Sequence, residues 1–185
     1  MQKIPTPIEI QQHTIELNKM MMDYWIHNFV LSLKWWILLA LTIVPWFFWW
    51  KIVDKSRILE ILLYGFFIIS ISTLLDVLGW NFSMWVYPDT LLPLCTPLVP
   101  IDYTLLPILY MLVYQYFSSW KSFSIVLLIL SFIFAFVWEP LAEMLNLYKS
   151  LKWSHVYSFF GFFLMGVFSR GLVLKIIKIQ KEGNS

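Results

Sequence analysis

Apolar residues run along this chain in five long blocks, at about 33–50, 58–80, 98–117, 122–145 and 154–174, separated by short polar or charged breaks. Each block is close to the ~20 residues that an α-helix needs to cross the ~30 Å hydrocarbon core of a bilayer. A spanning segment must satisfy its own backbone polar groups, which a helix does and an isolated strand does not. The pattern therefore predicts an all-α, polytopic helical bundle of about five transmembrane helices within residues 33–175. Upstream, in residues 1–32, the period changes. Ile8, Ile15, Met22 and Trp25 recur at near-helical spacing, with Gln11, Gln12, Glu16 and Asp23 between them. That pattern predicts an amphipathic helix over about Ile8 to Val30 lying in the membrane interface, and Pro5 and Pro7 stand where helix starts tolerate proline. Residues 176–185 read as a basic tail.

Composition strengthens the membrane reading. Hydrophobic residues make up 60% of the 185 and charged residues 13%, with a mean hydropathy of +0.74, and a fold of this length bathed in water needs more polar surface. The net charge of +2 is too small to suggest a nucleic-acid partner. Cys95 is the single cysteine, so an intrachain disulfide is excluded, and no short apolar run follows a basic start, so no cleavable leader is expected. Trp35, Trp36, Trp46, Trp49 and Trp50 bracket the first block as an aromatic belt. Lys51, Lys55, Arg57, Lys121, Lys175, Lys178 and Lys181 fall on one side of a five-span arrangement. Lys149 and Lys152 fall on the other, joined by Lys3, Lys19 and Lys34. Basic residues favour the cytoplasm, so the N-terminus is expected outside and the C-terminus inside.

Within this greasy background four acids stand out: Asp76, Asp102, Glu139 and Glu143. Ionisable groups at membrane depth are costly and usually mark function. In the five-span arrangement all four, with His155, fall at similar depth in the outer half of the bilayer. Ser72, Thr73, Asp76 and Trp80 form one polar stripe, while Glu139 and Glu143 share a helix face that Pro140 should kink. Arg170 is the one buried-looking cation and belongs to the opposite half. Acids beside apolar and aromatic walls, here Trp80, Trp85, Tyr87 and Trp138, are the equipment of a proton donor. No metal-ligand spacing appears, so neither a metal site nor a cofactor is expected.

The connection from Asn81 to Val99 carries Pro88, Pro93 and Pro97 with one charge, Asp89, a composition that fits either a lid or half-buried plug over the helix ends or a rigid extended linker on the headgroups. The motif Asp76-x-x-Gly79-x5-Trp85-x-Tyr87-Pro88 leads into Leu92-Pro93, Val99-Pro100-Ile101-Asp102 and Pro107-x6-Tyr114. With Trp35–Trp36, Pro45–Trp46 and Glu139–Pro140, it resembles an uncharacterised family of small multi-spanning membrane proteins of endospore-forming Gram-positive bacteria. The resemblance covers about Tyr24 to Arg170 and implies a bacterial cytoplasmic membrane. The same motif is remotely similar to the lycopene-cyclase type of membrane domain. There a Pro-x-Glu-Glu motif opens a helix whose acids are thought to protonate an isoprenoid. Here Pro100-x-Asp102 occupies that place and Tyr103 stands at the second acid.

Three functions follow as expectations. The first is binding of a membrane lipid or isoprenoid in an acidic and aromatic pocket, with room for acid-catalysed isomerase or cyclase chemistry by Glu139, Glu143, Asp76 and Asp102. Trp80, Trp85, Tyr87, Trp138 and His155 would then be ligand-binding. The second is a small proton-coupled transporter. The third is a non-catalytic subunit of a membrane or sporulation-related complex, as a homo- or hetero-oligomer. The residues leave open whether the chain is an enzyme. Nucleotide loops, nucleophilic triads and cysteine pairs are all missing from the sequence.

Overall fold

The computed structural model describes residues 4–94 and 96–183; Lys3, one of the bases counted above, and Cys95 lie outside the described residues. The chain is all-α among the described residues apart from one two-residue pairing. Among the described residues, four helices are long and apolar enough to cross a membrane. They are α2 (Leu33–Ile52), α3 (Ile58–Asn81) with a 3-10 turn leading into it, a continuous rod from Trp120 to Met144, and α7 (His155–Gly183). The rod consists of α5 (Trp120–Ile133), a π-turn (Phe134–Trp138) and α6 (Glu139–Met144). Their outward faces are apolar, as at Phe47, Phe66, Ile129 and Phe168.

The third apolar block takes a different form. Its helix passes through a π-turn (Ile101–Leu105) and continues as α4 (Leu106–Tyr116), only 11 residues long. This is the enclosed centre of the bundle, where Leu106, Tyr110, Met111 and Tyr114 are almost wholly buried among α3, α5 and α7. Between packed helices a buried tyrosine hydroxyl finds a backbone carbonyl to bond. Tyr110 donates its hydroxyl to the Phe162 carbonyl at 2.9 Å, and Tyr64 of α3 donates to the Gly166 carbonyl at 3.2 Å.

The two π-turns share a cause. Pro107 and Pro140 have no N–H to give the carbonyls of Tyr103 and Phe136 four residues back. In both helices the register slips just ahead of the proline, so that Leu106 N–H bonds to the Ile101 carbonyl and Glu139 N–H to the Phe134 carbonyl. The kink expected at Pro140 is therefore a π-turn, a distortion often found at functional positions. Each slip lies beside an acid: Asp102 within the first, Glu139 directly after the second.

At the N-terminus, α1 (Pro7–Tyr24) starts from a capping box in which Thr6 and Glu9 satisfy each other's backbone N–H groups. It buries no residue and leads into a further π-turn (Trp25–Phe29), where Phe29 is the anchor. At the other end α7 runs unbroken through Lys175, Lys178 and Lys181 to Gly183.

Helix ends sort into two groups. At the basic end, Gln115 of α4 donates to the Ile52 carbonyl and accepts from Asp54 N–H. At the acidic end, Lys34 donates to the Leu145 carbonyl and pairs with Asp89 at 3.1 Å. The connections 82–98 and 145–154 meet here, because β1 (Trp85–Val86) pairs antiparallel with β2 (Lys149–Ser150). Asp89, Thr90, Leu91 and Leu98 are buried, so of the two forms its composition allowed the proline-rich connection takes that of a half-buried plug.

Candidate functional site

Asp76 sits on the inward face of α3, where the stripe begun by Ser72 turns into the bundle. Across from it the first π-turn brings Asp102 inward, and the second delivers Glu139. Asp76, Asp102 and Glu139 line one cavity of about 220 Å³. Its remaining wall is largely aromatic and aliphatic: Trp85, Tyr87 and Tyr148 from the paired connections, Trp138 from the π-turn, and Tyr157 and Phe162 from α7. Among the described residues that line it, none is a lysine or arginine.

The acids fall into two sets. Asp76 and Asp102 are 7% and 5% exposed, and their carboxyl groups lie within hydrogen-bonding reach of each other. Asp76 accepts from the Tyr87 hydroxyl at 2.7 Å and from Leu98 N–H at 3.4 Å. Asp102 Oδ2 receives no hydrogen bond from a described donor, and neither does the Trp85 indole nitrogen give one, although it faces Asp76 at the edge of bonding range. Two carboxylates in contact without a counter-ion repel, and a proton held between them removes that repulsion. Glu139 is the wetter acid. Its Oε2 lies 2.6 Å from His155 Nδ1, and the imidazole is about one-third exposed.

The tyrosines over the cavity stay protonated. Burial pushes the Tyr148 phenol up, with the nearby Glu139 charge adding to it. Burial of the Tyr87 hydroxyl, and then the Asp76 charge, do the same for Tyr87. Both are hydroxyl donors in a cavity of acceptors.

Among the nine residues singled out in the sequence, Asp76, Asp102, Glu139, Trp85, Tyr87 and Trp138 come together here. His155 reaches the cavity only through Glu139. Glu143 does not join: its carboxylate turns to the lid and accepts Ser150 N–H at 3.0 Å. Trp80 lies off the lining as well. The expected face shared by Glu139 and Glu143 is thus divided between cavity and lid. Sequence reasoning missed Tyr148 and Trp153, whose signal was two aromatics beside the lysines of the break, Lys149 and Lys152. Trp153 packs edge-on against Trp85 at 5.1 Å and donates to Ser158 at 2.9 Å. It also missed the clamp of Lys34 and Tyr24 on Asp89, which ties the N-terminal segment to the plug.

Gly79 is required by the lid. A Cβ there would stand 2.0 Å from the Trp85 ring, so only glycine lets that indole roof the cavity. Among the described residues no group of three His, Cys, Asp or Glu is placed to hold a metal ion. Comparison with protein-family models, curated proteins and solved structures finds no match for this chain.

Proposed function

We propose that the chain is a membrane-embedded binding protein for a lipid or isoprenoid, with Asp76, Asp102 and Glu139 as proton donors to its bound end. The observation that carries this reading is convergence: three acids from three separate elements meet on one largely apolar cavity that offers them no lysine or arginine. Asp76 and Asp102 form the buried pair of the cavity, and Glu139, against the part-exposed His155, stands on its wetter side. An acid that protonates an alkene leaves a carbocation, and a second carboxylate beside it can take a proton back from a neighbouring carbon, so the double bond moves and the acids end with the protons they began with. The remote similarity to the lycopene-cyclase type of domain points the same way. Glu143 has no donor role in this reading.

In the bilayer the central helix is the fifth crossing, α1 rests on the interface, and the membrane is the bacterial cytoplasmic membrane, with the N-terminus outside. Transport is the weaker alternative. Below the cavity the way is filled by Leu106 and Met165, and further down by Arg170 packed among Tyr114, Trp120 and Phe123. Native mass spectrometry of the protein purified in mild detergent tests the reading. A copurifying lipid is expected, lost in Asp102→Asn. An empty wild-type protein, or a variant with unchanged lipid, would overturn it.

A further inference from the structure

The cavity is too small for the ligand just proposed. Pockets that enclose a drug-sized molecule hold roughly 300–1,000 Å³, against about 220 Å³ here. It can take one end of a long molecule, and the rest must lie elsewhere.

The walls show where. Toward the acidic end the roof is closed by Trp85, Leu98 and Tyr148, and toward the core the floor is closed by Leu106 and Met165, all buried. The lining residues that are exposed belong to α3 and α7: Leu75 is 42% and Tyr157 58% exposed. Between them stands Gly161, where a Cβ would meet nothing within 4 Å. The cavity therefore opens sideways, through a gap between α3 and α7. Gly161 is six residues into α7, roughly 9 Å below its start at 1.5 Å per residue. The neighbouring outward side chains, Leu74, Phe160 and Leu164, are apolar and exposed.

The unmet polar atoms state what the inner end should be. Asp102 Oδ2 accepts and Trp85 Nε1 donates; both are buried, both lack partners, and both flank Asp76. One hydroxyl group satisfies both, because it donates and accepts. A phosphate would face three carboxyl groups with no lysine or arginine in the lining, a burial without compensation.

We infer that the ligand is a single-chain lipid ending in a hydroxyl, which enters from the bilayer between α3 and α7. Its hydroxyl docks between Trp85 and Asp102 while its chain remains in the gap past Leu75, Tyr157 and Gly161. This rests on the reading that the cavity binds a lipid.

The test uses the full chain in phosphatidylcholine nanodiscs, with farnesol, farnesyl phosphate and the hydrocarbon farnesene as probes and native mass spectrometry as readout. Farnesol should be retained about tenfold better than either of the others, and Gly161→Trp should cut its retention about tenfold, each equivalent to about 1.4 kcal/mol. Gly171→Trp is the control, since Gly171 also borders open space on α7 but does not line the cavity. Equal thermal midpoints for the two variants show that both are folded. Full retention of farnesol by Gly161→Trp would overturn the lateral opening, and equal retention of farnesyl phosphate would overturn the hydroxyl end. Either result leaves the binding cavity standing. A wild-type protein that holds none of the probes but carries another copurified lipid overturns the ligand class alone, whereas one that holds no lipid at all removes the parent reading too.

Discussion

Arg170 and Asp102 are almost equally enclosed, at 4% and 5% exposed, yet their surroundings are opposite. Arg170 donates to the carbonyls of Phe117 and Ser118 at the C-terminus of α4, where a helix end favours a cation. Its guanidinium lies against two rings, with centroids at 4.3 Å for Phe123 and 4.6 Å for Trp120. Nearby, Glu60 accepts from Arg57 at 2.9 Å and from the Tyr114 hydroxyl. At the basic end, charge fills space and finishes helix ends. Asp102 borders a void, touches another acid and has an oxygen with no donor. Each side chain keeps one buried polar atom without a partner among the described residues, Arg170 Nε and Asp102 Oδ2. Arg170, though, has its other N–H groups on carbonyls and its plane against rings, whereas Asp102 borders a cavity.

Variants can break this contrast. Arg170→Met should be the most damaging, costing about 3 kcal/mol through two unsatisfied carbonyls and a lost cation–π site. Thermal unfolding in detergent measures it, and a loss smaller than that of Asp102→Asn would erase the distinction between the two ends. Gly79→Ala should come next, at about 2 kcal/mol, because the added methyl collides with Trp85. Its signature is combined loss of stability and of bound lipid, and retention of lipid would detach the roof from the site. Lys34→Met should cost about 1–2 kcal/mol by leaving Asp89 with the Tyr24 hydroxyl and no counter-ion. Limited proteolysis should then cut faster within 82–98; an unchanged rate would mean that the plug holds without the clamp. Asp102→Asn should change stability least, by less than about 1 kcal/mol and in the stabilising direction, as removal of a strained functional charge often does. A large destabilisation there would make Asp102 a structural residue like Arg170.

Much of the fold was legible because apolar length is a local property. Residues 33–50, 58–80, 122–145 and 154–174 each declare a helix by composition alone, and the structure has helices over all four. The block at 98–117 was legible as apolar, but its division into a π-turn and a short central helix was not visible. That division depends on Pro107 acting together with the walls that enclose Tyr110 and Tyr114. The site was legible to a similar degree. Asp76, Asp102 and Glu139 stood out because charge in an apolar segment is expensive. Glu139 and Glu143 looked equivalent from their spacing, and only the π-turn before Pro140, with the pairing of Lys149–Ser150 against Trp85–Val86, sends one to the cavity and the other to the lid.

By itself, then, the sequence determined that the chain is helical, which segments are apolar enough to cross a bilayer, and which acids need an explanation. Those conclusions follow from the transfer cost of each residue, which is counted one position at a time. The tertiary structure alone decided which acids meet, that Asp76 and Asp102 touch, that Trp85 roofs the space above them, and that the cavity opens between α3 and α7. These depend on contacts between residues far apart in the chain, where a glycine that admits an indole or a proline that shifts a helix register redirects a whole face.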